Sequence, residues 1–329
     1  MRRNIFILGA ALVLMTGCST TRKGVLSTYE RPTDIATDGI YGDAQSAEEQ
    51  SLGDLSWREV FTDPQLQALI EKALTQNVNV KNTDLRLQEV QYALKASKLA
   101  FIPSIYFSPQ GTVTKMFDPY DRSQYSAITA GNTKSYSLPL SLGWQNVNFF
   151  QLRNAKKGAK VSVEQMQNAK QAVQAQLVAG VAQLYYNLCM LDEQLSMMQQ
   201  TEQNWATYAD MQRKLMDAGQ SNAAAVASIE ATHLSIKSSV VTLQDNIRIL
   251  ENNLSNLLGE SSQTYSRSSL SSFHAPTVMS TGLPIQILSR RPDVRDAELT
   301  LAKAFYDVAA ARAAFWPSIS LSANGSFTN

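Results

Sequence analysis

The sequence predicts a mainly α-helical fold with membrane β-strands, in which long antiparallel helical hairpins join amphipathic strands. Three observations predict it. Two runs of apolar residues keep the four-three spacing of a heptad seam, ten residues alternate strictly between apolar and small or polar, and a segment recurs at an offset of 214 residues. Composition agrees. In 329 residues there are 15 Gly and 10 Pro, few enough to favour uninterrupted elements. The 29 Lys+Arg meet 28 Asp+Glu with no basic block, which excludes an electrostatic nucleic-acid binder. An apolar fraction of 44% with net charge +1 excludes disorder. Two Cys and two His exclude a disulfide scaffold and a zinc site built from Cys and His. Length alone suggests one or two compact domains.

Residues 1–17 read as a lipoprotein signal peptide. Arg2 and Arg3 precede an apolar stretch from Ile5 to Met15, shorter than the ~20 residues a spanning helix needs. The ending Met15-Thr16-Gly17-Cys18 resembles a bacterial lipobox. In such signals the Cys becomes the first mature residue and carries diacylglycerol and a fatty acyl chain such as palmitate. Ser19, rather than Asp, then points to the outer membrane. Multiple acyl chains anchor firmly, each buried CH₂ adding ~0.8 kcal/mol. The alternative is an ordinary cleaved signal with a chance Cys. Residues 18–56, rich in Ser, Thr, Asp and Gly, read as an N-terminal tether.

Residues 57–260 form the first structural repeat. Asp63-Pro64 gives an N-cap acid before an N1 proline, and the helix it opens runs into Pro103. Residues 104–113 are a strand candidate with Ile105 and Phe107 on one face, and residues 114–134 are polar like an external loop. In the strand 135–144, Tyr136, Leu138, Leu140, Leu142 and Trp144 alternate with Ser135, Ser137, Pro139, Ser141 and Gly143. A membrane barrel strand needs ~9–11 residues of this kind; a soluble hairpin is the alternative.

From about Phe149 to Asp217 there is no Pro, and Gly158 and Gly180 are the weak points. The seam is Leu177, Val181, Leu184, Leu188, Leu191, Leu195 and Met198. A helix of this extent would be about 100 Å long. Gly219 suits a helix C′ position, and Ser221 or Asn222 the next N-cap. The seam resumes at Val226, Ile229, His233, Ile236, Val240, Leu243, Ile247, Leu250, Leu254 and Leu257, and Gly259 ends it. Two long helices on a short turn make an antiparallel hairpin. His233 is expected to hydrogen-bond across the pair rather than bind a ligand, and Cys189 to be a small buried apolar residue.

Residues 261–288 form a linker, and residues 289–329 open a second repeat. Ala100 to Gly111 recurs as Ala314 to Gly325 with seven of twelve positions identical, and Val80, Leu85, Leu87 and Tyr92 recur as Val294, Leu299, Leu301 and Tyr306. In both copies a proline, Pro103 or Pro317, is the helix-to-strand switch, because it ends the helix and pushes its predecessor into extended geometry. Arg291-Pro292-Asp293 is taken as the counterpart of the Asp63-Pro64 start, with Asp293 and Asp296 near the positive helix end. Arg290, Arg291 and Arg295 are expected to pair with these acids rather than form an anion site.

The run from Gly282 to Glu298, with Arg290, Arg291, Pro292, Asp293 and Val294 at its centre, and its continuation Ala311 to Leu321, resemble the most distinctive motifs of the TolC-like outer-membrane factors. With the lipobox, the chain resembles the lipoprotein branch that serves resistance-nodulation-division efflux pumps. The resemblance covers residues 50–329. It implies a homotrimer with a shared transmembrane β-barrel of twelve strands in outer-membrane lipid and a periplasmic α-barrel of long helices. It also implies a passive exit duct for drugs or other small solutes, with a periplasmic adaptor and an inner-membrane pump as partners. The adaptor-contacting hairpin tip then corresponds to Leu215, Ala218, Gly219, Gln220, Ser221 and Asn222. Ala223 and Ala224 stand where the family carries an acid.

By the 214-residue offset, the chain is about 143 residues short of two full repeats, so three copies are expected to bring about nine strands rather than twelve. The second hairpin, where the family's gate lies, is not present. No nucleotide-binding loop, nucleophile motif or metal cluster is visible, so no enzyme activity and no cofactor beyond the covalent lipid is expected. Two alternatives stay open, an outer-membrane duct of type I protein secretion and a non-conducting coiled-coil lipoprotein.

Overall fold

The computed structural model describes residues 24–30, 56–115, 132–270 and 291–328. The signal peptide with Cys18, most of the tether, the loop at 116–131, the linker beyond Leu270 and Arg290 lie outside them. The element order is α1 (Trp57–Val60), α2 (Pro64–Gln76), α3 (Val78–Leu99), β1 (Ser104–Phe107), β2 (Gln110–Lys115), β3 (Asn132–Val147), α4 (Phe149–Asp217), α5 (Ala223–Leu258), α6 (Pro292–Ala313) and β4 (Ile319–Thr328). The chain divides into two compact units. One, the sheet unit, holds Met1–Thr33, Gln88–Gln165 and Glu298–Asn329; the other, the hairpin unit, holds Asp34–Leu87 and Met166–Ala297.

The hairpin unit is organised by the heptad seam. Helix α4 runs for 69 residues through both of its glycines, and α5 follows for 36. Every predicted seam position of both helices is buried or half-buried. Leu66, Ile70 and Ala73 of α2 and Val80 of α3 join Leu177, Val181, Tyr185 and Leu188 of α4 and Ile247, Leu254 and Leu258 of α5 in one apolar core. Full burial of each such aliphatic side chain contributes about 1.5–3 kcal/mol. Cys189 lies in this core, as expected. Burial pushes its thiol up, and the Asp192 charge adds to that.

One expectation is corrected here. The helix opened by Asp63-Pro64 does not reach Pro103; it stops at Asn77 and restarts. Asn77 leaves helical geometry at ψ 131. Its Oδ1 accepts from the N–H groups of Asn79 and Val80, and its Nδ2 donates to the Leu257 carbonyl at 2.8 Å. A buried asparagine therefore caps α3 and grips the end of α5 at once, which outweighs helix continuity. At the offset of 214, Val78–Leu99 falls on Pro292–Ala313, so the counterpart of Pro292 is Val78 and not Pro64.

In the sheet unit, β3 is central. Its one edge pairs antiparallel with β1 and β2 in a single unbroken register, from Ser104↔Gly143 to Lys115↔Asn132. Its other edge pairs antiparallel with β4, from Ser137↔Thr328 to Val147↔Ile319, with one irregularity near Trp144. A smaller core of Val161, Ala302 and Tyr306, with Tyr29, Leu299 and Phe305 against it, packs the start of α4 on α6. Asn154 ties the N-terminal segment to this core by donating to the Val25 carbonyl at 3.0 Å.

Candidate functional site

Three regions carry chemistry that a plain helical scaffold does not need: the two faces of the sheet, the hairpin tip, and the junctions between helix and strand.

Residues paired across an antiparallel sheet project to the same face. Leu140 pairs with Phe107 and Gly325, Leu142 with Ile105 and Ala323, Leu138 with Phe327, and Trp144 with Leu321. The apolar side of β3 is thus continued by both neighbours. The opposite side carries Ser135 beside Thr112, Ser137 beside Gln110 and Thr328, Ser141 beside Tyr106 and Asn324, and Gly143 beside Ser104 and Ser322. The register turns separate period-two strands into one sheet with an apolar face and a hydroxyl-rich face. Apart from the half-buried Trp144, the large apolar side chains are exposed, Phe327 by 73% and Leu140 by 46%. A contiguous apolar patch of this kind marks a membrane or partner surface.

At the tip, α4 ends on a Schellman motif: the Gly219 N–H donates to the Met216 carbonyl and the Gln220 N–H to the Leu215 carbonyl, at 2.9 and 2.8 Å. Gly219 holds φ at 73°, a left-handed conformation that a side chain would strain. Of the two N-cap candidates, Asn222 takes the role, its Oδ1 accepting from the Ala225 N–H at 2.8 Å. Ser221 instead donates across the hairpin to Gln212 Oε1. Ala218, Gly219, Gln220, Asn222, Ala223 and Ala224 are exposed, while Leu215 and Ser221 are half-buried. The tip is a small-residue surface with little charge of its own. Behind it, Arg213 bonds Glu230. Deeper still, His233 Nε2 lies 2.6 Å from Glu202 Oε1. That contact across the hairpin is the one expected of His233. Its partner was legible too, because extending the four-three spacing past Met198 gives Glu202, Trp205, Ala209 and Gln212, all buried or half-buried.

The two junctions have the same backbone. The N–H groups of Phe101 and Ile102 donate to the Lys98 and Leu99 carbonyls, and those of Phe315 and Trp316 donate to the Arg312 and Ala313 carbonyls. Pro103 and Pro317 follow each turn, and β1 and β4 begin beyond them. Asn148, buried, clamps the second junction: its Nδ2 donates to the Ala313 and Trp316 carbonyls while its Oδ1 caps α4 through the Gln151 N–H. An Asn directly before an apolar helix start is the signal that could have found it.

Two further groups bear on the expected sites. Arg291 bonds Asp293 at 2.6 Å, which is the charge pairing expected at this helix start, and the Arg291 guanidinium holds the Asp293 carboxyl below its ordinary range. Val294 is exposed by 39%. In the linker, Arg267 was not singled out from the sequence, yet it bonds Asp192 through two nitrogens and Glu251 through a third, at 2.6–2.9 Å. Burial alone would lower its affinity for a proton, and the two carboxylates more than reverse that. Beside it, the Ser268 N–H donates to Tyr185, whose hydroxyl donates to Asp63.

The sequence pattern of the outer membrane efflux protein family matches residues 69–260 and 283–329. The chain belongs to that family. It is 29% identical over 323 residues to the cation efflux system protein CusC of Escherichia coli strain K12, covering 93% of this chain and 65% of the relative. It is 27% identical over 276 residues to a probable outer membrane lipoprotein, SilC, of Salmonella typhimurium, covering 82% and 57%. A crystal structure of CusC superposes with a TM-score of 0.74 at 26% identity, covering 92% of this chain and 67% of that one. The chain spans just under two thirds of the length of the curated relatives it matches first. Family membership accords with the mainly α fold with amphipathic strands and with the resemblance read from the Arg290 to Val294 motif.

Proposed function

We propose that the chain serves as the outer-membrane duct of a tripartite efflux system, a passive conduit for small solutes driven by an inner-membrane pump through a periplasmic adaptor. The observation that carries the reading is the register-locked sheet, with its apolar side suited to lipid and its hydroxyl-rich side to a wet lumen. Within the described residues, the outer edges of β1, β2 and β4 have no partner strand. In lipid such edges must be paired, because no water is there to satisfy their N–H and C=O groups. Copies of the chain are the partners we assign, as a homotrimer sharing one barrel. The tip from Leu215 to Asn222 is then the adaptor contact, its small side chains allowing close approach of helices from a partner. Cys18 is the lipid anchor, a reading supported by the relative described as a probable outer membrane lipoprotein.

Conductance in planar bilayers tests the duct. A trimer of the full-length protein, with both repeats complete, should conduct, and the absence of conductance after loosening of any closed state would sink the reading. Palmitate labelling tests the anchor: label should vanish in Cys18→Ala, and persistence would refute it.

A further inference from the structure

The junctions between helix and strand carry a charge asymmetry that the duct does not require. In the nine residues on the helical side of each junction, 95–103, 149–157 and 308–316, there are six cations and no acidic residue, in a chain whose net charge is +1. The hairpin behind its tip, by contrast, mixes Asp210, Arg213, Lys214, Asp217 and Glu230. Lys98, Arg153, Lys156 and Arg312 are exposed and Lys157 is half-buried, and none forms an ion pair with a carboxylate of the described residues. Arg153, Lys156 and Lys157 follow i, i+3, i+4 spacing, so they share one face of α4. Lys156 Nζ stands 5.8 Å from the centroid of the Phe101 ring, at the end of α3. Burial and the neighbouring Arg153 charge hold the Lys157 ammonium below its ordinary value, a sign of how concentrated the positive charge is.

We propose that Lys98, Arg153, Lys156, Lys157 and Arg312 form a basic collar that binds the anionic headgroups of phospholipids in the membrane leaflet next to the helix-to-strand junction. The inference rests on the reading that the apolar face of the sheet is embedded in lipid. Residues 149–157, all within α4, span about 13 Å, so these long side chains start at the depth where headgroups lie beyond the hydrocarbon. Phe315, 90% exposed, and Trp316 stand between the cations and the strand, where interfacial aromatics belong. The N-terminal segment also identifies the outward face. Lys157 Nζ bonds Thr28 Oγ1 at 3.2 Å, and Gly24 packs so tightly on Arg312 that a Cβ there would sit 2.6 Å from its guanidinium. Gly24 is six residues from Cys18, a reach of about 20 Å. On the reading of Cys18 as the lipid anchor, this segment approaches from the surrounding membrane, so the face it lies on is the one that meets lipid.

The test is flotation of the whole chain with vesicles of phosphatidylcholine, alone or with one quarter phosphatidylglycerol. Each cation near an anionic surface contributes about fivefold, so the parent should prefer anionic vesicles by at least about tenfold. Half-molar salt should abolish the preference. Lys98→Gln with Arg153→Gln and Lys156→Gln, checked for unchanged circular dichroism, should reduce it at least about tenfold. Lys98→Arg with Lys156→Arg should keep it. Removal of three cations of the helical hairpin, Arg213→Gln with Lys214→Gln and Lys237→Gln, should also leave it intact. A collar variant that retains the preference, or a tip variant that loses it equally, would overturn the collar. A parent chain that floats with neither vesicle would instead overturn the membrane reading of the sheet.

Discussion

The two copies of the helix-to-strand element share their sequence pattern but not their surroundings. In the first copy, α3 leads into β1 and β2; in the second, α6 leads into β4. Helix limits and terminal turns correspond residue for residue at the 214-residue offset. Burial does not. Tyr92 is 63% exposed, with Lys95 over its ring, whereas its counterpart Tyr306 is 7% exposed. Tyr306 packs with Val161 and Ala302, accepts from the Tyr29 N–H, and lies under Lys157. The difference teaches that local sequence set each helix and its exit turn, while the neighbours supplied by α4 and the N-terminal segment set which copy has a core.

The strand beyond each junction differs as well. The first copy is interrupted between Phe107 and Gln110, and the second runs unbroken through the equivalent positions. Pro109 stands in the gap and Ala323 at its counterpart. The interruption coincides with a proline that the second copy lacks, next to Ser108, whose N–H donates to the carbonyl of Pro139, a residue with no N–H to return.

Three experiments test the difference between the copies, and a fourth lies outside them. The largest effect is expected from the tyrosines. Tyr306→Ala should cost about 3 kcal/mol in denaturant unfolding, by cavity formation, while Tyr92→Ala stays within ~0.5 kcal/mol. Equal costs would show that the copies are packed alike. Next come the residues before each helix. Asn77→Ala removes a cap and the bond to the Leu257 carbonyl, for about 1–2 kcal/mol, while Arg291→Ala at an exposed pair should cost under ~0.5 kcal/mol. Exchanging the strand residues should follow at about 1 kcal/mol: Ala323→Pro should open β4 to amide exchange around residue 323, and Pro109→Ala should protect residues 108–110. Unaltered exchange in both would break the proline explanation.

The smallest effect is a pH limb outside both copies, where Tyr185 of α4 meets Asp63 at the start of α2. Burial, and then the bond to Asp63, push the Tyr185 phenol up to about 12. A phenol held protonated in the fold ionises first in the unfolded chain, near 10, so its contribution is full below pH 10 and lost between there and about 12. Burial pushes the Asp63 carboxyl up, but hydrogen bonds from Tyr185 and the Gln65 N–H leave it below the usual range. Its contribution is therefore present above pH ~4 and lost as pH falls through its folded value. Tyr185→Phe should flatten the alkaline limb of stability, and an unchanged slope would contradict the assignment.

Much of this was legible in the sequence because it rests on short-range periodicity. The four-three spacing located both long helices and their turn, and period two located β3 and its faces. The rest depends on residues far apart in sequence. Asn77 divides one expected helix into two because it meets the end of α5, 180 residues away. Arg267 finds Asp192 and Glu251 across 75 and 16 residues. The basic collar was hidden because its cations come from three helix ends, each carrying only one to three of them, so no basic block exists along the chain.

The central claim is that the sheet stands in a membrane with one face to lipid and one to water. Single cysteines introduced at 137, 138, 140, 141 and 142, in a background lacking Cys18 and Cys189, test it by labelling with a water-soluble maleimide in lipid vesicles. The account predicts a period of two: Ser137→Cys and Ser141→Cys react, while Leu138→Cys, Leu140→Cys and Leu142→Cys are protected. Equal reaction at all five positions would contradict it.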